Sequence, residues 1–154
     1  MSKYSLLFIS LSMLCVSQAG MAEAPVVGEP SLTATFDDPQ LQWGPCPDFI
    51  PKGCEIAVLH GDPAKENLDV FFKVPADFKI PSHWHTSAER MVLVSGTMNV
   101  TYKGQATQAL KPGMYAYGPA GLPHTAECLK GDPCVLFIAF VSPLDAHPTE
   151  ADKH

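Results

Sequence analysis

The sequence predicts an all-β domain, and three observations carry that reading. Fifteen Pro and eleven Gly sit among many Val, Ile, Thr, Phe and Tyr, a mixture that favours short strands joined by tight turns over long helices. Strand-like segments recur at short intervals with turn chemistry between them, and no helix of convincing length interrupts them. Hydrophobic residues make up 46% and charged residues 17% of the 154-residue chain, apolar enough for one buried core and too apolar for a disordered chain. Many short strands argue for a sandwich or a barrel, where closure removes most exposed edges.

At the N-terminus Lys3 precedes the apolar run from Leu6 to Val16, which is too short to cross a bilayer. With small residues at Gly20 and Ala22, residues 1–22 read as a secretory signal peptide cut before Glu23. Ser17 and Ala19 would allow a cut before Gly20 instead, and a buried N-terminal helix or an uncleaved anchor is the other use of such a run. Cys15 lacks a lipid-attachment context, because bulky Met13 and Leu14 precede it. The mature protein is therefore expected to be exported, periplasmic or secreted, with no stable membrane association.

Residues 23–53 carry Pro25, Pro30, Pro39 and Pro45 with no sustained period, so they read as a Pro-rich N-terminal arm with one strand around Leu32 to Phe36. From residue 54 to residue 145 a single domain is expected. Its strand candidates are Glu55–Leu59, Asp69–Val74, Phe78–Pro81, Glu89–Val94, Thr97–Tyr102, Thr107–Leu110, Met114–Tyr117, His124–Leu129 and Cys134–Val141. Ser95-Gly96, Lys103-Gly104, Lys111-Pro112-Gly113 and Lys130-Gly131-Asp132-Pro133 supply the turns. Residues 146–154 form a polar, Pro-broken tail.

Cleavage removes Cys15 and leaves Cys46, Cys54, Cys128 and Cys134. In an oxidising compartment these suggest two disulfides. Cys128 and Cys134 flank a turn-like stretch between two strand candidates, and Cys46 and Cys54 bracket a short Pro- and Gly-containing loop, so the expected pairs are 46–54 and 128–134, worth about 2 kcal/mol each. Four buried free thiols are the alternative.

The formal charge is −6, and −7 for the mature chain with 9 basic and 16 acidic side chains. So few Lys and Arg exclude a nucleic-acid partner. The informative stretch is Pro81-Ser82-His83-Trp84-His85-Thr86-Ser87-Ala88-Glu89-Arg90. On a strand His83 and His85 leave the same face, with Trp84 on the other, facing an outer surface or a subunit interface. Glu89 on a second strand could reach them, and His124 follows a glycine-rich turn. Three neutral imidazoles and a carboxylate suit one divalent first-row ion: Mn, Fe, Co, Ni, Cu or Zn.

His83-x-His85-x3-Glu89-x6-Gly96 resembles the first motif of the cupin superfamily, and Gly113-x5-Pro119-x-Gly121-x2-His124 resembles the second, with residues 97–112 between them. The resemblance covers roughly Glu55 to Val141. It implies a double-stranded β-helix, the cupin jelly-roll barrel, with His83, His85, Glu89 and His124 as metal ligands. One position departs from the family: Cys128 stands where the second motif usually ends in Asn. It is expected either to staple to Cys134 or to be a thiol near the metal.

Met91 and Leu93 share the parity of Glu89 and are expected to line an apolar pocket, with Met98, Val100 and Tyr102, although core packing explains them equally well. The only arginine, Arg90, follows Glu89 and should point outward, so no guanidinium clamp awaits a carboxylate or phosphate. Lys73 or Lys79 could substitute for it. Tyr115, Tyr117 and His60 are the remaining acid/base candidates, and no catalytic residue is singled out. Two functions follow: a metalloenzyme, dioxygenase-like, acting on a small neutral organic molecule, or a non-catalytic binding or sensor module. An open apolar pocket favours the enzyme, and one filled by Met91 and Met98 favours the module. A homodimer is expected, through the arm or through Val135–Val141, although a core-facing strand would show the same pattern.

Overall fold

Alternation of buried and exposed residues decides where the strands run. The computed structural model describes Gly28 and residues 30–149. The expected signal peptide, residues 23–27 and 29 of the arm, and residues 150–154 of the tail lie outside the described residues. The chain divides into two units, residues 1–32 and 33–154, and every strand among the described residues falls in the second. In chain order these are β1 (Trp43–Pro45), β2 (Glu55–His60), β3 (Leu68–Val74), β4 (Phe78–Trp84), β5 (Glu89–Ser95), β6 (Met98–Tyr102), β7 (Gln108–Leu110), β8 (Tyr115–Gly118), β9 (His124–Cys128), β10 (Cys134–Phe140) and β11 (His147–Pro148).

The order β1-β2-β3-β10-β5-β8 makes one sheet and β11-β4-β9-β6-β7 the other, with antiparallel pairing throughout. This is the jelly-roll barrel that the motifs imply. Both sheets contribute inward-facing side chains to one core, among them Leu68, Val70, Leu93, Met98, Leu136 and Ile138. β10 lies between β3 and β5, so the apolar pattern of Val135–Val141 belongs to a central strand. Among the described residues no helix is long and apolar enough to cross a membrane.

Three segments differ from the sequence expectation. Residues 32–36 form no strand. The Thr35 hydroxyl donates to the Asp37 carboxylate, and the Asp38 amide donates to the Thr35 carbonyl at 3.1 Å, local bonds that compete with a ladder. β1 falls in the Pro-rich arm, where the expected strand was Leu32 to Phe36; it holds Pro45, and it lies at a sheet edge where a missing amide is tolerated. There Lys73 sits 3.9 Å over the Trp43 ring and pairs with Glu55 at 2.8 Å. β11 is two residues of the polar tail, paired with His83 and Trp84.

Both expected disulfides are present, Cys46–Cys54 with Cα atoms 5.5 Å apart and Cys128–Cys134 at 5.7 Å. The second joins the end of β9 to the start of β10, and so ties one sheet to the other. Gly96, which turns β5 into β6, has φ +80°, and a Cβ there would lie 2.8 Å from Cys134 Sγ and 2.8 Å from the Pro133 carbonyl oxygen. Only glycine fits both the backbone and the space.

Candidate metal centre

A bulge creates the site. Phe78 and Ile80 face inward on β4, and strict alternation would send residues 83 and 85 outward. Between Ile80 and His83 the register against β9 shifts, at the Pro81-Ser82 step, and the extra residue turns His83 and His85 into the barrel. His124, at the start of β9, stands directly opposite His83. Glu89 opens β5 on the facing sheet and points inward.

These side chains meet. The ligand atoms of His83, His85 and His124 lie within 4.8 Å of one another. Glu89 Oε1 is 3.4 Å from His85 Nε2, and Oε2 is 3.7 Å from His124 Nε2. Each imidazole is oriented from behind by a backbone carbonyl. His83 Nδ1–H donates to Pro81 at 2.8 Å, His124 Nδ1–H to Leu122 at 3.3 Å, and His85 Nδ1–H to Asp145. The Nε2 lone pairs are thereby free to face the centre.

Burial sets the protonation. It pulls His83 down to about 4, and it pulls His124 down to about 3 with help from the positive fields of His83 and His85. His85 is lowered too, by burial, against the opposing Asp145 carbonyl. Glu89 is 4% exposed, and burial pushes it up to about 8. With no cation present the group is neutral throughout, the proton resting on Glu89 rather than on an imidazole. A divalent cation would repay the desolvation of that carboxylate, and the three imidazoles are already in the ligating form.

The centre opens on a cavity of about 340 Å³ whose walls are mostly apolar, including Ile80, Met91, Met98, Val100, Leu136 and Phe140. Met91 and Met98 line this space without filling it. Leu93 is buried in the core instead. Pro45 at the end of β1, with Pro47 and Ile50 from the loop stapled by Cys46–Cys54, forms one margin, and Leu144 to Ala146 form another. Among the described lining residues there is no Lys or Arg.

The other candidates lie elsewhere. Arg90 is exposed as expected. Lys73 pairs with Glu55, and Lys79 reaches toward Glu127 at 4.0 Å, so neither lines the cavity. Tyr115 and Tyr117 are 60% and 53% exposed on β8 while Ala116 between them packs on the core, and His60 is exposed at the end of β2. None of these three can act on a ligand in the barrel. Trp84 stacks on His147, with ring centroids 4.3 Å apart. Cys128 is stapled, which removes it as a thiol near the metal.

Asp145 is the residue that sequence reasoning missed. Its carbonyl orients His85, and its carboxylate accepts from the Thr86 amide at 2.8 Å and pairs with His147 Nε2 at 3.0 Å. No sequence signal marks it, because any residue has a carbonyl and this contact spans 60 positions.

A family model described as the ChrR cupin-like domain matches residues 33–142. No curated protein matches the chain. Several solved structures share the fold. The polyketide cyclase RemF from Streptomyces resistomycificus has a TM-score of 0.63 at 16% identity, covering 77% of this chain and 86% of that one. A cupin-2 domain from Rhodospirillum rubrum has a TM-score of 0.63 at 16% identity, covering 80% and 86%. The DMSP lyase DddQ from Ruegeria pomeroyi DSS-3 has a TM-score of 0.62 at 19% identity, covering 71% of this chain and 61% of that one, so this chain spans about three fifths of the lyase's length.

Proposed function

The chain belongs to the ChrR cupin-like family, and from that premise we propose that it is an exported metalloenzyme, a dioxygenase-like oxidoreductase acting on a small neutral organic molecule. One observation carries the reading: three imidazoles and a carboxylate converge on one side of an apolar cavity and leave the other side open to it. His83, His85, Glu89 and His124 would hold one divalent transition metal ion, Fe, Mn, Ni, Cu or Zn. Such an ion supplies Lewis acidity or, if redox-active, electron exchange with dioxygen.

The chain's own residues do the rest. Pro81, Leu122 and Asp145 carbonyls keep the imidazoles aimed at the centre. The apolar walls exclude water and give a neutral substrate a surface to bury. Their lack of Lys and Arg offers a carboxylate or phosphate no side-chain cation to pair with beyond the metal itself. A DMSP lyase and a polyketide cyclase share this fold, which supports small-molecule chemistry in such a barrel. The two disulfides suit an oxidising compartment, in keeping with export directed by residues 1–22. We retain the division into an arm (23–53), a cupin domain (54–145) and a tail (146–154), with homodimerisation, as part of the same proposal.

The second reading, a non-catalytic metal- or ligand-binding module, draws on the exposure of Tyr115, Tyr117 and His60, which leaves fewer acid/base groups near the centre. The test is to purify the exported protein without an affinity tag, measure metals by mass spectrometry, and repeat with His83→Ala and Glu89→Ala. Stoichiometric metal in the native protein and its loss in both variants is expected; unchanged content in both would sink the centre. Oxygen uptake with phenolic and thiol compounds then separates the enzyme from the module.

A further inference from the structure

The cavity holds one polar group with nothing to do. Tyr102 ends β6 with its side chain inside the barrel, 7% exposed, and its hydroxyl is a buried polar atom without a hydrogen-bond partner. A buried hydroxyl without a protein partner costs stability. The arrangement around it is nevertheless specific. The phenol reaches across from one sheet to the other and ends beside Gly118 of β8, which pairs with Glu89. A Cβ on Gly118 would lie 2.8 Å from the Tyr102 hydroxyl and 3.0 Å from Glu89 Oε2. Residue 118 can carry no side chain without displacing both groups. The ring also lies 5.1 Å from that of His124, so the unused donor borders the proposed metal centre and the cavity together.

We infer that Tyr102 determines substrate specificity: its hydroxyl donates a hydrogen bond to an acceptor oxygen, a carbonyl or ether, of a neutral and otherwise apolar molecule bound in the cavity. This rests on the proposed cavity as the binding site. A molecule lacking that oxygen leaves the hydroxyl unpaired in a dry site, which is how buried donors discriminate strongly between isosteres. The described lining residues include no Lys or Arg to pair with an anionic group, which favours a neutral molecule, and the apolar walls set the character of its remainder.

The experiment compares acetophenone with α-methylstyrene, which keeps the planar shape and carries a CH2 group in place of the carbonyl oxygen, by calorimetric titration into the mature protein and its Tyr102→Phe variant. Both proteins are titrated with EDTA and again after zinc loading, with zinc counted by mass spectrometry. The native protein should prefer acetophenone by roughly tenfold, and the variant should lose that preference with or without zinc. Tyr102→Phe should also unfold at an equal or higher temperature than the native protein, since it deletes an unpaired group and keeps the ring. Equal discrimination by both proteins, no binding of either probe to the native protein, or a lower unfolding temperature in the variant would each overturn the assignment. Zinc missing from the native protein would instead count against the metal centre alone, because the preference is read in EDTA as well.

Discussion

Replacing Glu89 with Gln in the metal-free protein should abolish one arm of its pH–stability profile. Burial raises this carboxyl from 4.5 to about 8, so between those values the unfolded chain is ionised while the folded one keeps its proton. The folded state then binds more protons, and unfolding free energy falls as pH rises, by about 1.4 kcal/mol per pH unit at most. The histidines act with the opposite sign. His83 and His124 are lowered from 6.5 to about 4 and about 3, so below 6.5 the unfolded chain takes up protons that the folded one refuses, and stability rises with pH up to 6.5. Two imidazoles outweigh one carboxyl below 6.5, and only the carboxyl acts above it. The metal-free native protein should therefore peak near pH 6.5 and lose about 2 kcal/mol by pH 8, whereas Glu89→Gln should rise to the same pH and stay level. Urea unfolding in EDTA across pH 5–9, followed by tryptophan fluorescence with the urea dependence held constant, reads this directly. A native profile that is flat or rising between pH 6.5 and 8, or an equal decline in the variant, would refute the account of the site as a neutral group awaiting a cation.

Three further outcomes follow from the geometry. Gly96→Ala should lower stability by about 2–4 kcal/mol in urea unfolding, because its Cβ would meet Cys134 Sγ and the Pro133 carbonyl at a left-handed φ. Replacing Cys128 and Cys134 together with Ala should remove about 2 kcal/mol while preserving the circular dichroism spectrum. Asp145→Ala, which frees the segment from Thr86 and His147, should weaken zinc binding by roughly tenfold in competition with a chelator while leaving stability in EDTA nearly unchanged.

Much of the fold is legible in the chain because its physics is local. Glycine turns and apolar alternation mark β2 to β10 to within a few residues, and the short Cys46–Cys54 and Cys128–Cys134 loops mark their own pairings. The segments that escape are those held by partners distant in sequence. β11 exists because His147 and Pro148 find β4, and β1 because residues 43–45 pair with β2, where Trp43 also meets Lys73 of β3. Residues 32–36 fail in the other direction: a β-like composition loses to side-chain bonds that close a turn.

The chain alone points to the candidate centre: the resemblance to the two cupin motifs picks out His83, His85, Glu89 and His124, and the single arginine, next to Glu89 in sequence, is expected to face away from them. Only the tertiary structure decides that the imidazoles face inward, because on strict alternation they would oppose Ile80, and the bulge at Pro81-Ser82 reverses them. The same holds for the Asp145 carbonyl behind His85 and for the Tyr102 hydroxyl left unpaired beside Gly118. Which face a strand presents, and which buried group goes unpartnered, depends on every element packed around it, and no local pattern of residues encodes that.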